Sequence, residues 1–157
     1  MKTRNLQWAA LLLVAAGIVA CAQAPPSTPF ALAGTSWQLM RFEGMDETSR
    51  TPDDRAKYTI EFKADGALAV RLDCNRGRGT WKSEEPGRLE LGPLALTRAM
   101  CPPGSLHDQM VKHWSYVRSY FLKDGHLFLS LMADGGIYDF EPLAGAGAAD
   151  PEVEQYG

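Results

Sequence analysis

The sequence predicts a mainly β, α+β domain in which one antiparallel sheet curls toward a barrel and a single helix packs on it. Three observations carry this. Apolar and polar residues alternate with period two through most of the chain. The alternating runs are separated by short Gly-centred turns. One segment alone, starting at Ser105, changes to helical spacing.

The elements follow in chain order. Met1-Lys2-Thr3-Arg4 carries two positive charges and precedes an uninterrupted apolar run from Trp8 to Ala20. Those thirteen residues are too few to span a bilayer core, which needs roughly 20. A basic start and a short apolar run read as a secretory signal peptide over residues 1–20. Ile18-Val19-Ala20-Cys21 resembles a bacterial lipobox, which makes Cys21 the lipidated new N-terminus. Two or more acyl chains make a stable anchor, so the mature protein is expected to be membrane-tethered. The next residue is Ala22 and not the aspartate associated with inner-membrane retention, which favours the outer membrane, facing the periplasm. Residues 21–31 then form a lipidated Cys and Pro-rich tether, whose "AQAPPSTP" run, semi-extended, holds the domain roughly 25 Å from the lipid.

The folded domain is expected over residues 32–143. In "KYTIEF", Tyr58, Ile60 and Phe62 share one face; Asp65-Gly66 turns; Leu68, Val70 and Leu72 repeat the alternation. A second hairpin places Trp81 before a Glu85-Pro86-Gly87 turn, with Leu89 and Leu91 after it. Near the end, Lys123-Asp124-Gly125 and Asp134-Gly135-Gly136 separate three more alternating runs. Close-spaced short strands of this kind suit a barrel. Between the two groups, Leu106, Met110, Trp114 and Val117 fall at helical spacing with Val111 beside them. Pro102-Pro103-Gly104 breaks the chain before that helix, and Ser105 with Asp108 suggests a capping box. Residues 144–157 hold Asp150, Glu152 and Glu154 among small residues and read as an acidic, disordered tail.

Charge excludes some functions. The whole chain carries a formal −3, and losing Lys2 and Arg4 with the signal takes it to −5. An acidic exported chain without a long basic run is not a nucleic-acid binder. His107, His113 and His126 lie near no nucleophile motif, so no catalytic residue is expected. Neither Cys-x-x-Cys nor His-x-x-x-His occurs, so no metal site and no cofactor are expected.

With Cys21 acylated, Cys74 and Cys101 are the remaining pair, and an exported compartment reads an even pair as a disulfide. A link across 27 positions stabilises by roughly 3.5 kcal/mol in the chain-entropy model. Two free thiols forming a redox switch is the competing reading, because Arg76 and Arg78 lower the pKa of a neighbouring thiol. Arg76, Arg78 and Arg98, with Asn75, are the candidate ligand or partner patch. The plainer reading gives the arginines to solvent on turns and Asn75 to turn backbone.

Gly34, Thr35 and Trp37, then Cys74-Asn75, Gly79 and Trp81, then Thr97 to Cys101, then Gly135, Gly136 and Phe140 together resemble the META-domain family, which includes the heat-shock protein HslJ. The resemblance covers residues 32–143. It implies a partly open β-barrel of lipocalin-like topology with one packed helix, in a small envelope protein without enzymatic activity. Two departures stand out: Asp73 occupies the family's glycine position, and Ala99-Met100 reverses the more usual Met-Ala order. The resemblance points to a lipid-anchored envelope protein that binds a protein or envelope component and contributes to stress or antibiotic tolerance. The alternatives are a carrier of small apolar ligands in the barrel, suggested by alternating strands and abundant aromatics, and an inhibitor of a periplasmic hydrolase.

Overall fold

The computed structural model describes residues 32–143; the expected signal peptide, lipidated Cys21, tether and acidic tail lie outside them. Eight strands run up and down in sequence order: β1 (Thr35–Glu43), β3 (Tyr58–Phe62), β4 (Ala67–Leu72), β5 (Asn75–Lys82), β6 (Glu90–Leu91), β8 (Val117–Lys123), β9 (His126–Leu131) and β10 (Ile137–Pro142). Two-residue strands β2 (Ser49–Arg50) and β7 (Ala95–Leu96) attach to β1 and β5. A 3-10 turn spans Arg55–Lys57, and α1 (His107–Trp114) is the helix. β1 pairs with both β3 and β10, so only the β6/β8 seam remains. There Leu89 N–H donates to Arg118 O (3.0 Å) and Tyr120 N–H to Gly87 O (2.9 Å). The sheet is thus a nearly closed antiparallel barrel, with a single α-helix among the described residues, as the period-two pattern predicts.

The turns explain the hairpins. In β3–β4, Ile60 faces Val70, and the Asp65 carboxylate accepts from Ala67 N–H (2.9 Å), fixing the turn that Gly66 completes at φ +82°. In β8–β9, Asp124 (φ 52°) and Gly125 (φ 78°) are both left-handed, the signature of a two-residue type I′ turn matching the sheet's twist. In β1 the alternation of Trp37 and Leu39 skips a residue before Phe42, and the sheet register shifts between Leu39 and Arg41. The bulge keeps all three buried.

The barrel interior is filled. Phe62 meets Trp81 edge-on with ring centroids 5.3 Å apart, and Tyr58, Leu39, Leu127 and Phe140 are almost wholly buried. Among the described residues each indole N–H has an acceptor: Trp37 to Thr35 Oγ1, Trp81 to Lys63 O, Trp114 to Gly92 O. The space left between α1 and the strands, lined by Ile60, Met110, Trp114, Leu129 and Phe140, is about 10 Å³. A small-molecule site needs roughly 300 Å³. The alternating aromatics are therefore core, and the carrier alternative loses the observation that suggested it.

The helix departs from expectation at both ends. It stops at Trp114, and Val117 opens β8 instead of continuing the helical face. Val117, Tyr120 and Phe121 favour a strand, and pairing with β9 outweighs the helical spacing. Val111 is exposed. No Ser105–Asp108 capping box forms: Ser105 Oγ accepts from His107 N–H (3.1 Å), Tyr58 hydroxyl accepts from Leu106 N–H (3.0 Å), and Asp108 turns to His107 Nδ1 (2.8 Å). The barrel wall itself supplies the helix's first acceptor.

Met110 and Trp114 pack α1 onto the barrel, and His113 stands at its edge with Nδ1 2.9 Å from the Tyr138 hydroxyl and its ring 5.3 Å from Phe42. Burial, and then the charge of Lys112, hold the His113 pKa below its ordinary value. Burial pushes the Tyr138 phenol well up, so its proton stays available to a neutral imidazole. The unfolded chain therefore takes up a proton near pH 6.5 that the folded chain refuses, and stability is level above that pH and falls as pH drops below it. In urea titrations from pH 8 to pH 5, His113→Gln is expected to flatten this decline; an unchanged slope would remove His113 as its cause.

Candidate functional site

The β4–β5 hairpin builds the site. Leu72 pairs with Asn75 across a two-residue turn of Asp73 and Cys74, which fixes the pairs Arg71↔Arg76, Val70↔Gly77 and Ala69↔Arg78. Leu68, Val70, Leu72, Asn75, Gly77 and Trp81 consequently face inward. Arg71, Arg76 and Arg78 face out together. Gly77 lets Leu96 pack against β5, because a Cβ there would meet Leu96 Cδ2 at 2.5 Å and Val70 Cγ2 at 3.1 Å and make the Leu96 side chain shift.

Asp73 adopts φ 56°. Of the two turn residues it alone has a left-handed φ, a backbone that aspartate tolerates better than most residues, at the position where the family resemblance expects glycine. Its N–H donates to Lys57 O (2.7 Å), and its carbonyl accepts from Arg71 Nε (3.2 Å). The turn is thus locked from both sides.

Behind the turn lies a polar knot centred on the buried side chain of Asn75. Asn75 is fully buried, and its Oδ1 accepts from Thr97 Oγ1 (2.8 Å) and Ala99 N–H (2.8 Å) while its Nδ2 donates to Ala99 O (2.9 Å). Thr97 completes the link: its N–H donates to Arg76 O (2.9 Å), and its Oγ1 accepts from Arg76 N–H (3.0 Å). Beside the knot, Cys74 and Cys101 are joined as a disulfide with Cα atoms 5.4 Å apart. Neither sulfur is then a thiolate available for nucleophilic attack. Asn75 does not belong to the exposed patch, since its carboxamide is spent inside the chain. Met100 stands 99% exposed, so the reversed Ala99-Met100 order leaves the methionine in solvent.

The outer face is basic. Arg76 and Arg78 are exposed and Arg71 half-exposed, and among the described residues none of the three has a carboxylate within salt-bridge distance. Arg71 gives NH1 to Ala56 O (3.2 Å). Arg71 and Arg76 stand directly opposite, a like-charge arrangement that costs stability when no anion sits between them. A groove of about 250 Å³ runs past Ser36, Thr59, Glu61, Arg71, Arg76 and Leu143, and one of about 560 Å³ adjoins it over Ala69, Arg76, Arg78 and Thr97. Glu61 is the acidic side chain on this wall. Arg98 lies apart, in a neighbouring groove with Met100 and His107.

Arg71 is the member of this face that inspection of single motifs misses. Its signal was in the register: a two-residue turn at Asp73-Cys74 that pairs 72 with 75 must pair 71 with 76. A second cluster was also hidden. On the opposite wall, buried Asp139 accepts from His126 Nδ1 (2.7 Å) and lies 3.4 Å from Arg41. Residues thirteen apart in sequence meet there because Asp139 pairs with Phe128, diagonal to His126. Among the described residues no group of three or more His, Cys, Asp or Glu gathers as a metal site would require.

Comparison with known proteins agrees with this geometry. A family model described as META domain matches residues 30–144. The solved structure of a protein from Burkholderia xenovorans is similar, with a TM-score of 0.63, 20% identity, and coverage of 83% of this chain and 99% of that one. A DUF4847 family protein from Bacteroides vulgatus is similar at a TM-score of 0.52 and 15% identity, covering 71% of this chain and 94% of the other. At those identities the likeness concerns the fold. No curated protein matches.

Replacing Asp73 by Gly relieves a left-handed L-residue, worth about 1–2 kcal/mol, and adds unfolded-state freedom that costs about 0.4–1 kcal/mol. Asp73→Gly is therefore expected to raise unfolding free energy by about 0.5–1 kcal/mol in the oxidised protein. A loss of stability in denaturant titration would mean that the Asp73 side chain holds the turn.

Proposed function

The chain belongs to the META-domain family, and we propose that it serves the cell envelope as a non-enzymatic, lipid-anchored binding protein whose working surface is the Arg71–Arg76–Arg78 face. One observation carries the reading: three arginines are held side by side on a hairpin fixed by a disulfide, with no carboxylate of the described chain neutralising them. Arginine offers a planar fork of donors suited to carboxylates, and a rigid hairpin loses little freedom when it binds. The partner we assign is an acidic segment of another envelope protein. The Cys21 anchor and the tether bring this face to such a partner at the membrane, on the periplasmic side of the outer membrane, and stress or antibiotic tolerance is the process that the binding supports.

The test is charge reversal. Arg76→Glu with Arg78→Glu places Glu opposite Arg71, an opposite-charge pair worth about 0.2–1 kcal/mol, so the fold is expected to be retained or slightly strengthened. Expressed in a deletion strain challenged with heat and envelope-active antibiotics, the double variant is expected to behave as the deletion does while accumulating normally. Full rescue of tolerance by that variant would contradict the assignment.

A further inference from the structure

We infer that the open edge of β7 is a strand-addition site, at which an extended acidic segment of a partner pairs with the backbone of Leu96 and Arg98 and so brings its carboxylates to Arg76 and Arg78. The inference rests on the reading of the arginine face as a carboxylate-binding surface, and adds how the partner's chain is held there.

The first support is the backbone that follows β7. Thr97 N–H donates to Arg76 O (2.9 Å). Ala99 gives its N–H to Asn75 Oδ1 (2.8 Å), and its carbonyl accepts from Asn75 Nδ2 (2.9 Å). Residues 97 and 99 therefore turn their main-chain groups to β5, and alternation along an extended chain turns those of Leu96 and Arg98 to the other side. There β7 has no second strand, and among the described residues the N–H and C=O groups of Leu96 and Arg98 have no hydrogen-bond partner. Thr97, Arg98, Ala99 and Met100 are all exposed, so nothing in the described chain covers this edge. An edge in that state is a template for another chain.

The second is shape. A groove of about 670 Å³ is lined by residues 94–100 and by His107 at the start of α1. It shares Ala95, Leu96 and Thr97 with the groove that holds Arg76 and Arg78, so the open edge and the arginine face adjoin across one short segment. Pro93 and Pro102 bound that segment, and proline has no N–H for a ladder, which limits the addition to a few residues.

The third is side-chain register. Neighbouring strands lie about 4.8 Å apart, so an added strand stands about 10 Å from β5 with β7 between them. The β7 residue paired with Arg78 is Ala95, and Thr97 follows beside Arg76; both are small and exposed. Long side chains of β5 and of the added strand can meet above them. Acidic residues at alternate positions of the partner then share one face and reach Arg78 and Arg76 in turn. A second copy of this chain is the wrong occupant, because pairing the two edges would set its arginines against these.

The experiment uses the full mature chain, kept unacylated by Cys21→Ser, and an end-blocked hexapeptide alternating Glu and Val. Two further peptides carry N-methyl groups on the Glu residues alone or on the Val residues alone, so each lacks every second backbone N–H at unchanged charge. At saturating unmethylated peptide, amide hydrogen exchange is expected to slow about tenfold or more at Leu96 and Arg98, and to change little at Thr97 and Ala99, which are already bonded. One methylated peptide is expected to bind about tenfold or more weakly and the other to keep its affinity, because a strand presents alternate N–H groups to its neighbour. Equal binding by all three peptides, with exchange at Leu96 and Arg98 unchanged, would overturn strand addition. If that binding is lost with Arg76→Glu and Arg78→Glu, the arginine face stands as the partner site without it. No binding of the unmethylated peptide would overturn both the strand addition and the reading of the face.

Discussion

The buried carboxamide of Asn75 is the constraint on which the β4–β5 hairpin and its arginine face depend. A polar side chain without solvent contact must have its donors and acceptors met inside, or the desolvation is uncompensated. Asn75 meets them with one short segment, Thr97 to Ala99, and so holds that segment against β5. The segment from β7 to the start of the helix is held at this contact: β7 beside Gly77, Cys101 beside Cys74, and the chain leading into α1.

The arginine face is the outward consequence of the same constraint. Alternation along β5 means that turning Asn75 inward turns Arg76 and Arg78 outward, and the register across the turn brings Arg71 next to them. The disulfide then closes a loop of sequence separation 27 at the same point, adding a covalent limit to what the carboxamide organises. The barrel contributes rigidity. Its interior is occupied by Phe62, Trp81, Trp114 and their neighbours.

How much of this the sequence discloses depends on the range of the interaction concerned. Local chemistry was legible: Asp65-Gly66 and Asp124-Gly125 mark turns because those residues tolerate the backbone that turns demand, and the alternating runs around them became strands. Helical spacing from Leu106 to Val117 identified the one helix and overran its end, because the pairing of Val117–Lys123 with β9 is a tertiary effect that no local window contains. The site was legible in part. Arg76 and Arg78 stand out as exposed basic residues, whereas Arg71 enters only through register and Arg98 leaves the group because β7 diverts it into another groove. Asn75, grouped with the arginines by adjacency, faces away from them, since neighbours in a strand point to opposite sides.

The central claim is that Asn75 organises the hairpin, the segment before the helix and the face they carry. The most direct measurement is the unfolding free energy of Asn75→Ala with the disulfide intact. Removing the carboxamide deletes three hydrogen bonds to Thr97 and Ala99 and empties the buried place it fills. A loss of about 2–3 kcal/mol is predicted. A loss below about 1 kcal/mol, typical of a surface substitution, would contradict the account.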